Sequence, residues 1–222
     1  MKNIIYIRLG FFFYLLLLCF PETWSVPFRT LKVENGLSHN TVHCLMQDQY
    51  GFIWAGTSNG LNCYNGNTVK TFRNWNKDSF STSNNYVTSL LDANDSVIWI
   101  GTDQGIYLYK REQGQFEPLT LKTRYGVSIS SKITKMIKNK DGKIWIGTLG
   151  QGLFCYDGKM LRQFISYTSF VNDFIIDNNN NFYVTTLSNE ILVFNKQGLF
   201  TKKIIIPQIA FCLYYTDQKI WI

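Results

Sequence analysis

The chain has 222 residues, 45% hydrophobic and 16% aromatic, with 17% charged and a formal net charge of +7. That is enough apolar material for one sizeable core or a repeat array, and too little charge for a disordered chain. The basic residues are scattered rather than clustered, which reads as a solvated surface and leaves only a weak preference for acidic glycans open.

The first segment stands apart. Lys2 and Arg8 provide a positive start, Leu9–Phe20 (LGFFFYLLLLCF) is an apolar run of 12 residues, and Pro21 ends it. A membrane-spanning helix needs about 20 apolar residues, so the run is short for a span. Thr23-Trp24-Ser25 offers small residues around a cleavage point, and residues 1–25 read as a secretory signal peptide with an uncleaved anchor as the alternative. Leu18-Cys19 is a poor lipoprotein site, because a small residue belongs before that cysteine. The mature chain then starts near Val26 with 20 basic and 14 acidic residues, a net charge of +6. An exported chain of this kind is not expected to meet nucleic acid.

From Gly51 to Gly66 the chain reads "GFIWAGTSNGLNCYNG", and the phrase returns as "VIWIGTDQGIYLYK" at Val97–Lys110 and "KIWIGTLGQGLFCYDG" at Lys143–Gly158. A degenerate copy, "NFYVTTLSNEILVFN", covers Asn181–Asn195 with Tyr183 in the tryptophan slot, and a further copy begins at "KIWI" with Trp221. The slots Trp54, Trp99, Trp145, Tyr183 and Trp221 are spaced 45, 46, 38 and 38. Periods near 40 point to propeller blades or to helical arrays. The local pattern favours blades: short runs rich in Val, Ile, Thr and aromatics are punctuated by Gly, Asn and Asp, and no helical period persists.

The first unit reads as strands Val42–Gln47, Phe52–Thr57, Leu61–Tyr64 and Val69–Phe72. The second reads as Tyr86–Leu91, Val97–Thr102, Ile106–Tyr109 and Phe116–Leu119. The third has Ile133–Ile137, Lys143–Thr148, Leu153–Tyr156 and Met160–Phe164. The fourth has Phe170–Ile176, Phe182–Thr186, Ile191–Phe194 and Leu199–Ile205, and a fifth opens with Ile209–Tyr214 and Lys219–Ile222. The expected fold is all-β: a β-propeller of four-stranded antiparallel blades, with units at about 38–73, 84–120, 130–165 and 169–205 and the start of another at 209–222, an incomplete ring.

The repeated residues are expected to be structural. Trp54, Trp99 and Trp145 fill the gap between twisted sheets. Gly56, Gly101 and Gly147 allow close backbone approach. Thr57, Thr102 and Thr148 close the strand end through their hydroxyls. Gly60, Gly105 and Gly152 permit a positive-φ turn. Tyr64, Tyr109 and Tyr156 end the third strand, and Asn65-Gly66 and Asp157-Gly158 join it to the fourth. A phosphate-binding loop would need a helix after its glycines, and a strand follows each time.

Phe28–Asn65, with its "NGLSHNTV" entry, "QDQYGFIWAGT" core and "NGLNCYNG" exit, closely resembles the start of the two-component regulator propeller, the periplasmic sensor region of bacterial hybrid histidine kinases. The resemblance runs through the mature chain and blurs in the fourth unit, where Thr185 and Glu190 replace two glycines. It implies a large periplasmic domain of blades, commonly two propellers, followed by a β-sandwich, one membrane span into the inner membrane, and cytoplasmic kinase and regulator modules. It further implies a homodimeric receptor, an oligosaccharide ligand from polysaccharide breakdown, control of transcription, and no catalysis in the propeller itself. The chain stops at "KIWI", where "GT" would follow, and reads as the amino-terminal piece of a longer receptor, with an uncovered last blade.

Other chemistry is thin. His39 and His43 have the i, i+4 spacing of a helical metal pair, but a turn and a strand start remove its meaning. Cys44, Cys63, Cys155 and Cys212 remain after export; equivalent slots in non-adjacent blades are too far apart to bond, so they read as four free, buried thiols, Cys44 and Cys212 in first strands. Asp48, Asp92, Asp141 and Asp177 recur before the second strand, which argues for backbone hydrogen bonding in a turn. Tyr125, Trp75 and Tyr167 fall in loops, where packing is the commoner role and stacking on sugars the rarer one. No metal, cofactor or catalytic residue is assigned, and no ligand-binding residue either. A propeller enzyme acting on glycans and an exported interaction scaffold are the alternatives to a sensor.

Overall fold

A strand with a neighbouring sheet on each side must be apolar on both faces, and alternate residues then serve alternate neighbours. The computed structural model, which describes residues 28–73, 85–166, 168 and 170–222, is built on this rule. The expected signal peptide, Trp75 and Tyr167 lie outside those residues. Cα packing separates Met1–Thr30 from a second unit, Leu31–Ile222, and every strand lies in the second.

The first blade consists of β1 (Val42–Gln47), β2 (Ile53–Thr57), β3 (Gly60–Tyr64) and β4 (Val69–Phe72). The second consists of β5 (Val87–Asn94), β6 (Val97–Thr102), β7 (Gly105–Lys110) and β8 (Gln115–Leu119). The third has β9 (Lys132–Lys138), β10 (Ile144–Leu149), β11 (Gly152–Tyr156) and β12 (Leu161–Ile165). The fourth has β13 (Asp173–Ile176), β14 (Phe182–Thr185), β15 (Glu190–Phe194) and β16 (Phe200–Ile205), and a ribbon of β17 (Tyr214–Thr216) and β18 (Lys219–Trp221) follows. Each four-stranded sheet is an antiparallel meander in chain order, and first strands pack on first strands of the next blade. The protein is an incomplete β-propeller.

Each core lies between two blades. On β6, Ile98 and Ile100 face the first blade, together with Trp54 and Leu61. Trp99 on the same strand faces the third, against Ile144, Ile146 and Phe154. On β10 the alternation repeats: Trp145 faces the fourth blade with Phe174, Phe182 and Phe194.

Two first strands differ from the sequence reading. The fourth blade's first strand begins at Asp173, not Phe170, because Val171 donates its N–H back to Thr148 in the third blade (3.0 Å). The ribbon begins at Tyr214, not Ile209. Its lead-in is used for docking: Asn172 Nδ2 donates to the Ala210 carbonyl (3.2 Å), the Leu213 N–H donates to Asp173 Oδ2 (2.6 Å), and Ile206, Ala210 and Leu213 are buried against Ile175 and Ile191. A short 3-10 turn, Val33–Asn35, precedes the first blade.

Candidate functional site

The tryptophan slots are the bottom layer of every joint. Trp54, Trp99 and Trp145 are 4%, 7% and 7% exposed. Each takes an aromatic from the next blade: Tyr109 lies 5.3 Å from Trp54, Tyr156 lies 5.7 Å from Trp99, and Phe182 lies 4.6 Å from Trp145. Tyr109 and Tyr156 come from the following blade's third strand and Phe182 from its second, pairings not visible in any one repeat because they need the blade-to-blade register. Tyr156 also donates its hydroxyl to the Gly158 carbonyl (2.9 Å), and Tyr64 does the same to Gly66.

The glycine in the slot is required by side chains rather than by backbone. A Cβ on Gly56 would lie 2.4 Å from Cys44 Sγ and 2.5 Å from Val87; one on Gly101 would meet Ile133 at 2.8 Å, and one on Gly147 would meet Thr134 Oγ1 at 2.9 Å and Phe174 at 3.1 Å. The first strands of the same blade and of the next together fill the space. Beside it Thr57, Thr102 and Thr148 donate their hydroxyls to the carbonyls of Gly60, Gly105 and Gly152 (2.9, 3.0 and 2.7 Å). The same hydroxyls accept the N–H of Asn59, Gln104 and Gln151. The three glycines have φ of 130°, 118° and 82°.

The "NGLSHN" entry clips the first blade at this end. Ser38 is buried, its N–H donates to Asn62 Oδ1 (2.8 Å), its hydroxyl bonds that of Thr57 (2.8 Å), and Arg73 reaches its carbonyl (2.7 Å). His39 Nδ1 accepts the Thr41 N–H, while His43 Nε2 bonds Ser58 and its ring lies 4.5 Å from Tyr86 of the second blade. The histidines have separate tasks, and among the described residues no group of His, Cys, Asp and Glu is placed to hold a metal ion. Burial first, and then the Lys132 ammonium, holds the His43 pKa below the usual imidazole range.

At the opposite end the turn acceptor is Asp48, Asn94, Asn139 and Asp177 in successive blades. Asp48 Oδ1 takes the N–H groups of Tyr50 and Phe52 (both 3.0 Å), Asn94 takes Ser96, Asn139 takes Asp141 and Lys143, and Asp177 takes Asn179 and Asn181. Asp92 and Asp141 are therefore not the equivalents of Asp48, contrary to the spacing-based expectation. Asp92 instead meets Arg111 at 3.1 Å.

Two joints show what this turn residue decides. In the first, Asp48 has a second carboxylate oxygen, which accepts the Trp54 indole N–H at 2.8 Å. Arg111, from the second blade's hairpin, reaches the same oxygen at 3.5 Å and links it to Asp92, with the Arg111 and Asp48 side chains 12% and 1% exposed. In the third joint Asn139 stands in place of Asp48. Its only oxygen is taken by the turn and its amide donates to Asp141 Oδ2 (3.3 Å). The Trp145 indole nitrogen is buried with no hydrogen-bond partner. Here a cleft of about 370 Å³ opens between the third and fourth blades, lined among others by Asn139, Lys143, Trp145, Arg162 and Lys196.

The four described cysteines are free thiols, but they are not the buried residues expected. Cys44, Cys63 and Cys155 are half-buried and Cys212 is exposed, ahead of its strand. Cys63 stands in the wall of a cleft of about 290 Å³ at the first joint, beside Asp48, Trp54 and Arg111, and Cys155 in the wall of the cleft at the third. Burial pushes the Cys44 thiol up to about 12, which makes it an inert packing group. Tyr125 is exposed, with the Arg124 guanidinium over its ring at 4.5 Å.

With this geometry in place, known proteins can be set beside it. The family model described as "Two component regulator propeller" matches residues 36–59 and 81–104. These segments are two-component regulator propeller repeats. They span the entry clip and first tryptophan slot of the first blade, and the corresponding slot of the second. A curated relative, histidine kinase P4 of Formosa agariphila, is 34% identical over 83 residues, 37% of this chain and 6% of that protein. Among solved structures, the extracellular domain of the hybrid two component system BT3049 from B. thetaiotaomicron matches with TM-score 0.52 and 22% identity, over 87% of this chain and 33% of that one. That of BT4673, from the same organism, matches with TM-score 0.62 and 22% identity, over 78% and 22%. The chain thus spans a third or less of each of these relatives.

Proposed function

We propose that this regulator propeller is the ligand-sensing region of a hybrid two-component sensor histidine kinase. It is exported by residues 1–25, lies in the periplasm, and detects oligosaccharides released from polysaccharides. The observation that carries the reading is the pair of regulator-propeller repeats, together with a stretch of 83 residues 34% identical to a histidine kinase. In this reading the propeller performs no catalysis. It is a rigid frame whose clefts and loops bind, as loops on rigid scaffolds commonly do. The full-length receptor is a homodimer anchored in the inner membrane by a later segment, and ligand changes its kinase output and so transcription. The repeated carboxylates favour binding over glycan hydrolysis: each is committed to a turn or to Arg111, not poised as an acid–base pair.

The test is autophosphorylation of the full-length receptor in membranes, with and without mixed oligosaccharides. A response that disappears when the propeller is deleted supports the reading. Indifference to every glycan and to the deletion would refute it. Export is checked separately, by mass spectrometry of the native protein. A mature start within a few residues of Val26 is expected, and an intact Met1 would overturn cleavage.

A further inference from the structure

The first and third joints share one register. Trp54 pairs with Met46 and Cys63, and Trp145 pairs with Ile137 and Cys155, so Asn139 stands where Asp48 stands. In the first joint the molecule itself supplies what an indole N–H at this position takes: a carboxylate oxygen at 2.8 Å, backed by a guanidinium. In the fourth blade the slot residue is Tyr183, whose hydroxyl is pushed up by burial first and then by the Asp177 carboxylate, which stands at the Asp48 position. The third joint keeps the donor and lacks the carboxylate. A buried donor without a partner costs free energy comparable to a lost hydrogen bond, and such groups call for an explanation.

The surroundings indicate what completes it. Lys143, Arg162 and Lys196 line the same cleft. Two carboxylates line it as well, and both already have partners. Asp157 accepts the N–H groups of Lys159 and Met160 (3.1 and 2.8 Å) and lies 3.4 Å from Arg162, and Asp141 takes the Asn139 amide. Three cations against two carboxylates leave the cleft positive, and Phe164 and Phe182 give it an apolar wall.

We propose that the cleft between the third and fourth blades binds a small organic carboxylate, whose oxygen takes the Trp145 indole N–H in place of a protein carboxylate and whose charge faces Lys143, Arg162 and Lys196. Charge-assisted hydrogen bonds of this kind are about twice as strong as neutral ones, so the carboxylate rather than the rest of the ligand sets affinity. The site rests on the sensing reading for its biological meaning, but binding is measured without signalling, so the two fail separately.

The experiment uses the full chain and three probes: glucuronate, N-acetylglycine and glucose. Calorimetry measures affinity, and the indole N–H resonance of Trp145 reports occupancy of the site. Binding of glucuronate or N-acetylglycine, with a shift of that resonance and none for glucose, supports the proposal; which carboxylate binds better separates a sugar acid from a simple acid. Asn139→Asp installs the missing protein carboxylate and should abolish binding. Should that variant fail to fold, Arg162→Gln with Lys196→Gln, both at the open side, should weaken binding by at least about tenfold, the equivalent of 1.4 kcal/mol. Absence of binding by both carboxylates, equal binding of glucose, or unchanged affinity in Asn139→Asp would each overturn it.

Discussion

The first and third joints of this propeller use the same packing and end differently. Both place a tryptophan against an aromatic of the next blade and a glycine beneath a first-strand side chain. In the first joint Asp48 and Arg111 form an ionic bridge beside the indole, in the wall of a cleft of about 290 Å³. In the third, an amide stands in place of the carboxylate, and the indole beside a cleft of about 370 Å³ is unpaired. The apolar half of the repeat fixes where blades lie, while one polar position decides whether the indole between them has a protein partner.

The largest expected effect tests whether the two joints are equal in their apolar half. Trp54→Ala and Trp145→Ala should each cost about 3–5 kcal/mol, the range for truncating a buried large aromatic. Equilibrium denaturation of the full chain measures both. A Trp145→Ala variant with unchanged stability would mean that the third joint is not held by its indole, and the comparison would break at its base.

A smaller substitution separates the polar halves. Trp54→Phe removes the indole N–H bond to Asp48 Oδ2 and leaves that oxygen only the longer contact to Arg111, so a cost of about 1–3 kcal/mol follows for a lost hydrogen bond to a buried charged group. Trp145→Phe removes a donor that has no partner, so its change should lie below that of Trp54→Phe by at least about 1 kcal/mol. Equal losses in the two variants would show that the Trp145 N–H is satisfied in solution.

Much of this architecture was legible in the sequence, because the repeat is carried by residues whose role is local. The Thr57–Gly60 turn needs only a hydroxyl and a positive φ three positions apart, and it recurs at Thr102 with the same spacing and at Thr148 with one residue more. The tryptophan slot needs only period-2 alternation. What was hidden depends on neighbours far along the chain. Arg111 sits in a hairpin that looks like a mere insertion, and its partner Asp48 is 63 residues away. The turn acceptor moved from Asp to Asn in the second and third blades, so counting carboxylates picked Asp92 and Asp141 instead. The ribbon's lead-in has strand-like composition, yet its backbone groups go to Asp173 and Asn172 of the fourth blade. Asp173 also takes Lys135 of the third blade at 2.7 Å, so one carboxylate ties three blades, and no repeat marks it.

The smallest effect concerns the far end of the same two joints. In the third joint Thr134 donates its hydroxyl to the Val171 carbonyl of the next blade (2.8 Å), and Thr88 does the same to Ile133 in the second (2.6 Å). In the first joint the equivalent position is His43, which turns to Ser58 and Tyr86. A threonine latch has no charge to change near neutral pH, whereas His43 does. Its folded pKa is lowered, by burial first and then by Lys132 and His39, so the folded state disfavours the protonated ring. The unfolded chain then binds the extra proton, and the contribution of His43 to stability is complete above the ordinary imidazole pKa of 6.5 and declines as pH falls below it. Histidine NMR should give a His43 midpoint below that value, and Lys132→Ala should raise it. The stability difference between wild type and His43→Thr should shrink as the pH is lowered, while Thr134→Val should cost the same at either pH. A His43 midpoint at or above the ordinary imidazole value would remove the asymmetry, and the first joint would then differ from the third only at its carboxylate end.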